Sequence, residues 1–119
     1  MSEDRLLEKT NRINMLFDFY GPLLTEKQRT FLTYYFHDDF SLGEIAAEFN
    51  ISRQAVYEHL KRAEQTLEDY EAKLNLLAKH ERRKRLADEI GRLLDEQGAS
   101  AFPMKDRFKR LLAELYEID

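Results

Sequence analysis

Five side chains between positions 53 and 62, Arg53, Gln54, Tyr57, Lys61 and Arg62, have the types and spacing to grip a nucleic acid. Arginine pairs with guanine and glutamine with adenine, lysine and arginine hold phosphates, and tyrosine bonds a phosphate or stacks on an unstacked base. Residues three and four apart share one face of a helix, so the five would form a small contact patch. Glu58 stands among them, and a carboxylate repels phosphate. Its pairing with Lys61 or Arg62 at helical spacing would leave a solvated or protein-binding face, which is the alternative reading.

Such a patch needs a rigid mount, and residues 41 to 60, SLGEIAAEFNISRQAVYEHL, supply one. Ser41 with Glu44 three residues on is a capping box, each side chain satisfying a free backbone N–H at a helix start. Ser52 caps a second helix. Between them, Asn50 in Phe49-Asn50-Ile51 readily adopts the left-handed conformation that ends a helix and turns the chain. Ile45, Ala46, Phe49, Ile51, Val56 and Leu60 would form a shared core, and the small side chain of Ala46 lets the two helices cross closely. This is a helix-turn-helix.

Helical periodicity governs the rest of the chain and predicts an all-α fold: a helical bundle with a long recognition helix and C-terminal helices. Helices are expected near 6 to 20, 25 to 37, 42 to 49, 53 to 79, 82 to 97 and 103 to 117. Gly21-Pro22 stops the first, because proline cannot continue it, and Thr25 with Gln28 boxes the start of the second. Its Phe31, Leu32, Tyr35 and Phe36 should point inward, and Phe17 of the first helix should join them in the core. Gly98-Ala99-Ser100-Ala101 reads as a loop. Pro103 suits the start of a last helix, with Phe108, Leu111, Leu112 and Leu115 as its buried stripe.

The expected division is a helix-turn-helix domain over 1 to 78 and a C-terminal helical extension over 79 to 119 that packs or dimerises. Leu60, Ala63, Leu67, Tyr70, Leu74 and Leu77 alternate spacings of three and four, a heptad seam suited to a homodimer or to packing within the chain. Lys79-His80-Glu81-Arg82-Arg83-Lys84-Arg85 interrupts the apolar pattern and reads as a hinge or an exposed helical turn.

Composition bounds these readings. The 119 residues are 43% hydrophobic, enough for one small domain with an appendage. There is no cysteine, which excludes cysteine-ligated zinc and disulfides and agrees with a cytoplasmic location. The start is polar, and no apolar run approaches the roughly 20 residues of a membrane span. Formal charge is −4 over 1 to 51, +3 over 52 to 85 and −3 over 86 to 119. Positive charge thus gathers in the recognition helix and its continuation, while the net −4 of the chain would make duplex DNA binding weak without a dimer to double the contacts.

Chemistry of the catalytic kind finds no footing. His37, His59 and His80 lack cysteine partners and the i, i+4 spacing around a glutamate that a helical zinc site uses, so neither metal nor cofactor is expected. His59 reads as a half-buried packing residue, and Asp38-Asp39 as a turn. The chain has no glycine-rich phosphate loop.

Residues 23 to 74, LLTEKQRTFLTYYFHDDFSLGEIAAEFNISRQAVYEHLKRAEQTLEDYEAKL, with the preceding NRINMLFDFYGPLL, resemble the YlxM family, small cytoplasmic proteins of Gram-positive bacteria. The same core is similar to region 4 of sigma factors, the helix-turn-helix that reads promoter elements. The resemblance implies an accessory role in the signal recognition particle pathway, with the particle's GTPase, its RNA or both as partners. It also implies that Arg53, Gln54, Tyr57, Lys61 and Arg62 touch nucleic acid. The alternative is a sequence-specific, DNA-binding transcription regulator. Neither reading involves a membrane.

Overall fold

The computed structural model describes residues 3 to 96 and 105 to 117. These form six α-helices: α1 (Glu3–Tyr20), α2 (Glu26–Leu32), α3 (Leu42–Phe49), α4 (Arg53–Leu74), α5 (Leu76–Glu96) and α6 (Lys105–Glu117). No strand occurs among the described residues. The chain divides into two compact units, Met1–Asn75 and Leu76–Asp119.

In the first unit the helix starts follow the local code. Thr25 Oγ1 accepts from Gln28 N at 3.1 Å while Gln28 Oε1 accepts from Thr25 N at 3.0 Å, and Ser41 and Glu44 make the same reciprocal pair at 3.1 Å each way. Ser52 Oγ accepts from Ala55 N at 3.0 Å. Asn50 sits at φ 55°, ψ 47°, and the N–H of Ile51 closes back on the Ala46 carbonyl at 3.0 Å, satisfying a carbonyl that the helix end would otherwise strand.

Tertiary burial then selects a core of Ile13, Leu16, Tyr20, Leu24, Phe31, Leu32, Ile45, Ala46, Val56, Leu60, Ala63 and Leu67 in this unit. Helices α1, α2 and α3 all pack on α4, which is the spine. Two charged contacts align α1 along it: Arg12 grips Glu68 with two hydrogen bonds of 2.7 and 2.9 Å, and Lys9 lies 3.1 Å from Glu64. Tyr20, fully buried, donates its O–H to Glu71 Oε1 at 2.6 Å and stacks on Tyr70 with ring centroids 5.8 Å apart.

Several expectations give way. The second helix does not run regularly to His37, because residues Thr33–His37 form a π-helical turn whose Asp38 N–H reaches Thr33 O at 3.0 Å. The wider turn rotates the side chains that follow. Tyr35 is therefore exposed and Phe36 only half-buried, while Tyr34 turns to stack on Phe40 at 4.9 Å. Phe17 is half-buried, edge-on to His37 with centroids 5.5 Å apart. Phe49 stays at the surface against Phe31, and Ile51 is half-buried.

The long helix also ends sooner than its periodicity suggests. Asn75 takes φ 55° and stops α4 after Leu74, so the seam of Leu60, Ala63, Leu67, Tyr70, Leu74 and Leu77 does not run along one helix. Leu60, Ala63 and Leu67 are buried within the chain, whereas Leu74 is 44% exposed. The apolar surplus that argued for a dimer along α4 is thus largely covered already.

In the second unit, α5 runs unbroken through Lys79 to Arg85, so that stretch is helix and not a hinge. Helix α6 packs on α5 through Asp95, which pairs with Lys105 at 2.9 Å and Lys109 at 2.5 Å, and through Tyr116 stacked on His80 at 5.0 Å. The hydrogen bonds from Lys109 and then Lys105 hold the Asp95 carboxyl below its ordinary range. The stripe expected to be buried on α6 faces water: Phe108, Leu111 and Leu115 are 45 to 61% exposed and Leu112 is half-buried, because α5 is met instead by the Lys105, Lys109 and Tyr116 face. Gly98 to Ala101 and Pro103 lie outside the described residues.

Candidate nucleic-acid interface

All five residues singled out for contact, Arg53, Gln54, Tyr57, Lys61 and Arg62, project from the first three turns of α4, and all five are exposed. The buried face of those turns explains why. Val56, Leu60 and Ala63 are committed to the core, so the side chains on the far side of the helix meet solvent.

The exposed side splits into two adjacent rows at i, i+4, i+8 spacing. In one, Arg53, Tyr57 and Lys61 line up, with the Lys61 ammonium 5.8 Å from the centre of the Tyr57 ring, a cation–π distance. In the other, Gln54 donates to Glu58 Oε1 at 3.4 Å, and Arg62 Nη2 lies 3.5 Å from His59 Nδ1. Glu58 is therefore engaged along its own row by Gln54.

Arg53 does more than extend into water. Its guanidinium lies across Gly43 in the first turn of α3, so close that a Cβ built on Gly43 would stand 2.9 Å from Nη2 and 3.0 Å from Nε. The glycine gives the arginine a bed, and the two helices of the motif together orient its charge. Tyr57 also borders a cleft lined by Leu6, Tyr35, Phe40 and Leu42, so an aromatic surface continues from the recognition helix onto the π-helical turn.

Two contributors are not legible in the sequence. Gly43 carries no motif signal. Lys27 lies on another helix, yet its charge reaches His59 on α4 and helps to lower that imidazole's pKa. His59, half-buried as expected, stacks nearly parallel on Phe31 at 5.0 Å. Desolvation, then the Lys27 and Arg62 charges, lower its pKa and favour the neutral imidazole. Lys27 and Arg62, which both act on His59, make an electropositive edge assembled from α2 and α4. Only its α4 part could be seen in the spacing.

Among the described residues no group of three His, Asp or Glu side chains is placed to hold a metal ion, and no helix is long and apolar enough to cross a membrane.

Residues 7 to 107 match a family model described as "Putative helix-turn-helix protein, YlxM / p13 like". A UPF0122 protein of Halalkalibacterium halodurans is 56% identical over 95 residues, 80% of this chain and 87% of that one. A UPF0122 protein of Listeria innocua is 47% identical over 106 residues, covering 89% of this chain and 96% of the relative. One from Bacillus mycoides is 56% identical over 92 residues, 77% and 84% of the two chains.

Proposed function

Since the chain belongs to the UPF0122 family of YlxM / p13-like helix-turn-helix proteins, we propose that it is a non-enzymatic regulator in the signal recognition particle pathway, binding the particle's RNA, its GTPase or both through α4. The observation that carries the nucleic-acid reading is the pair of exposed rows on α4, with Arg53 held over Gly43 and Lys61 over Tyr57. The resemblance to the YlxM family supports the choice of pathway.

The physical fit favours RNA. The major groove of an RNA helix is too deep and narrow for side chains to read, so recognition falls to phosphates and unstacked bases. Arginine and lysine serve the first, and an exposed tyrosine the second. Reading duplex DNA would ask a chain of net charge −4 to neutralise many phosphates with one short basic patch.

The test is titration of the full-length protein against purified particle RNA, and separately against the GTPase, at several salt concentrations. Arg53→Glu with Arg62→Glu should weaken RNA binding and flatten its salt dependence by roughly one unit of slope per lost phosphate contact. The helical spectrum should be unchanged, because both side chains are exposed. Failure to bind either component, together with a shift of a palindromic duplex at physiological salt, would establish a transcription regulator in place of this reading.

A further inference from the structure

Helix α5 carries an apolar face that its packing with α6 leaves uncovered. The α5 side chains that border α6 are mainly polar, among them Lys84, Asp88, Arg92 and Asp95. Leu86, Ile90 and Leu93 fall on the opposite side of the helix at about 100° per residue. They are 49%, 42% and 47% exposed. Three aliphatic side chains at i, i+4 and i+7 make a continuous stripe of the kind that helices bury against one another.

Charge along α5 indicates what fits there. From Lys79 to Arg85 there are five cations against the single carboxylate of Glu81, and from Asp88 to Glu96 four carboxylates against the single cation of Arg92. The helix is basic in its first half and acidic in its second. A parallel copy would set like halves together. An antiparallel copy sets each basic half on an acidic one, twice over by symmetry, as a two-fold interface requires. Arg82, Glu89 and Glu96, spaced by seven, run along one edge of the stripe; the two-fold brings Arg82 of one chain towards the partner's Glu96, which also pairs with Arg92 of its own chain at 3.0 Å, and sets Glu89 near its own copy at the axis.

We propose that the Leu86, Ile90 and Leu93 face is a dimerisation surface, occupied by α5 of a second copy of this chain running antiparallel about a two-fold axis. This surface is distinct from the apolar seam of α4, whose leading residues are already buried. The proposal stands independently of which nucleic acid or protein α4 engages.

Sedimentation equilibrium of the full-length protein, from about 1 to about 100 µM, should give twice the 14.2 kDa chain mass at the upper end. Leu86→Lys with Ile90→Lys should leave a monomer of unchanged helical content. Arg82→Glu and Glu96→Arg should each weaken the dimer roughly 10-fold, because symmetry repeats the affected pair. The two changes combined should return affinity to within about 3-fold of the parent, since the pair is then restored with its signs exchanged. A monomer throughout the range, or a dimer that ignores the two lysines, overturns the proposal. Loss of affinity without rescue in the combined variant overturns the antiparallel arrangement.

Discussion

The guanidinium of Arg53 rests on the backbone of Gly43, 2.9 Å from where a side chain would begin. The first turn of the recognition helix is thereby braced by the first turn of the helix before it, and the direction in which Arg53 presents its charge depends on a residue ten positions earlier.

Gly43→Ala should separate stability from binding. Alanine is favoured over glycine within a helix by up to ~1 kcal/mol, and the obstructing atoms belong to the end of a flexible side chain. The urea midpoint should hold or rise. Affinity for nucleic acid should fall roughly 3-fold as Arg53 is displaced, a smaller effect than losing its phosphate contact outright, which would also flatten the salt dependence by about one unit of slope. Equal affinity in Gly43→Ala and the parent, measured by anisotropy, would show that the bed does not matter.

Ala46→Leu addresses the helix crossing. Ala46 is only 8% exposed where α3 packs on α4, and the added bulk should cost ~1–3 kcal/mol by overpacking. Chemical denaturation measures it, and an unmoved midpoint would mean that the crossing tolerates a larger side chain.

Tyr20→Phe removes the O–H that Glu71 accepts at 2.6 Å, while leaving the ring to stack on Tyr70. Glu71 is 8% exposed. Withdrawing a donor from a buried carboxylate should cost ~1–3 kcal/mol. The loss should appear in thermal and urea unfolding alike, with helical content at low denaturant unchanged.

Protonation of His59 should oppose folding. Its folded pKa lies below 6.5 through desolvation and then the Lys27 and Arg62 charges, with Glu58 acting weakly in the other direction. As pH falls through the unfolded value, the unfolded chain takes up the proton first, so stability declines from there until the folded imidazole is also protonated. Well above the unfolded value, where both states carry the neutral ring, this contribution is constant. In unfolding measured between pH 7.5 and 5, His59→Gln should flatten the acid limb, and an identical slope would remove His59 as its source.

Much of the first unit was legible as text. The three capping residues Thr25, Ser41 and Ser52, the left-handed turn at Asn50 and the outward set on α4 are consequences of interactions spanning four residues or fewer. Misreadings came where the same local code allows two outcomes. Asn75 has the chemistry of Asn50 and ends α4 in the same way, but it sits inside an apolar repeat that masks it. The π-helical turn after Leu32 inserts a residue into a helix without any glycine or proline to announce it. On α6, Leu111 and Leu115 have the spacing of a buried stripe and yet are exposed.

By itself the sequence determined where helices begin and turn and that Arg53, Gln54, Tyr57, Lys61 and Arg62 share the outer side of one of them. Caps and helical phase depend on groups a few bonds apart, so their energetics are written locally. Only the tertiary structure decided that Arg53 lies on Gly43, that Lys27 joins the field around His59 and that Leu67 is covered while Leu86, Ile90 and Leu93 are not. Burial and electrostatic field are set by what other segments bring alongside, and a side chain's type does not say whether a neighbour will arrive.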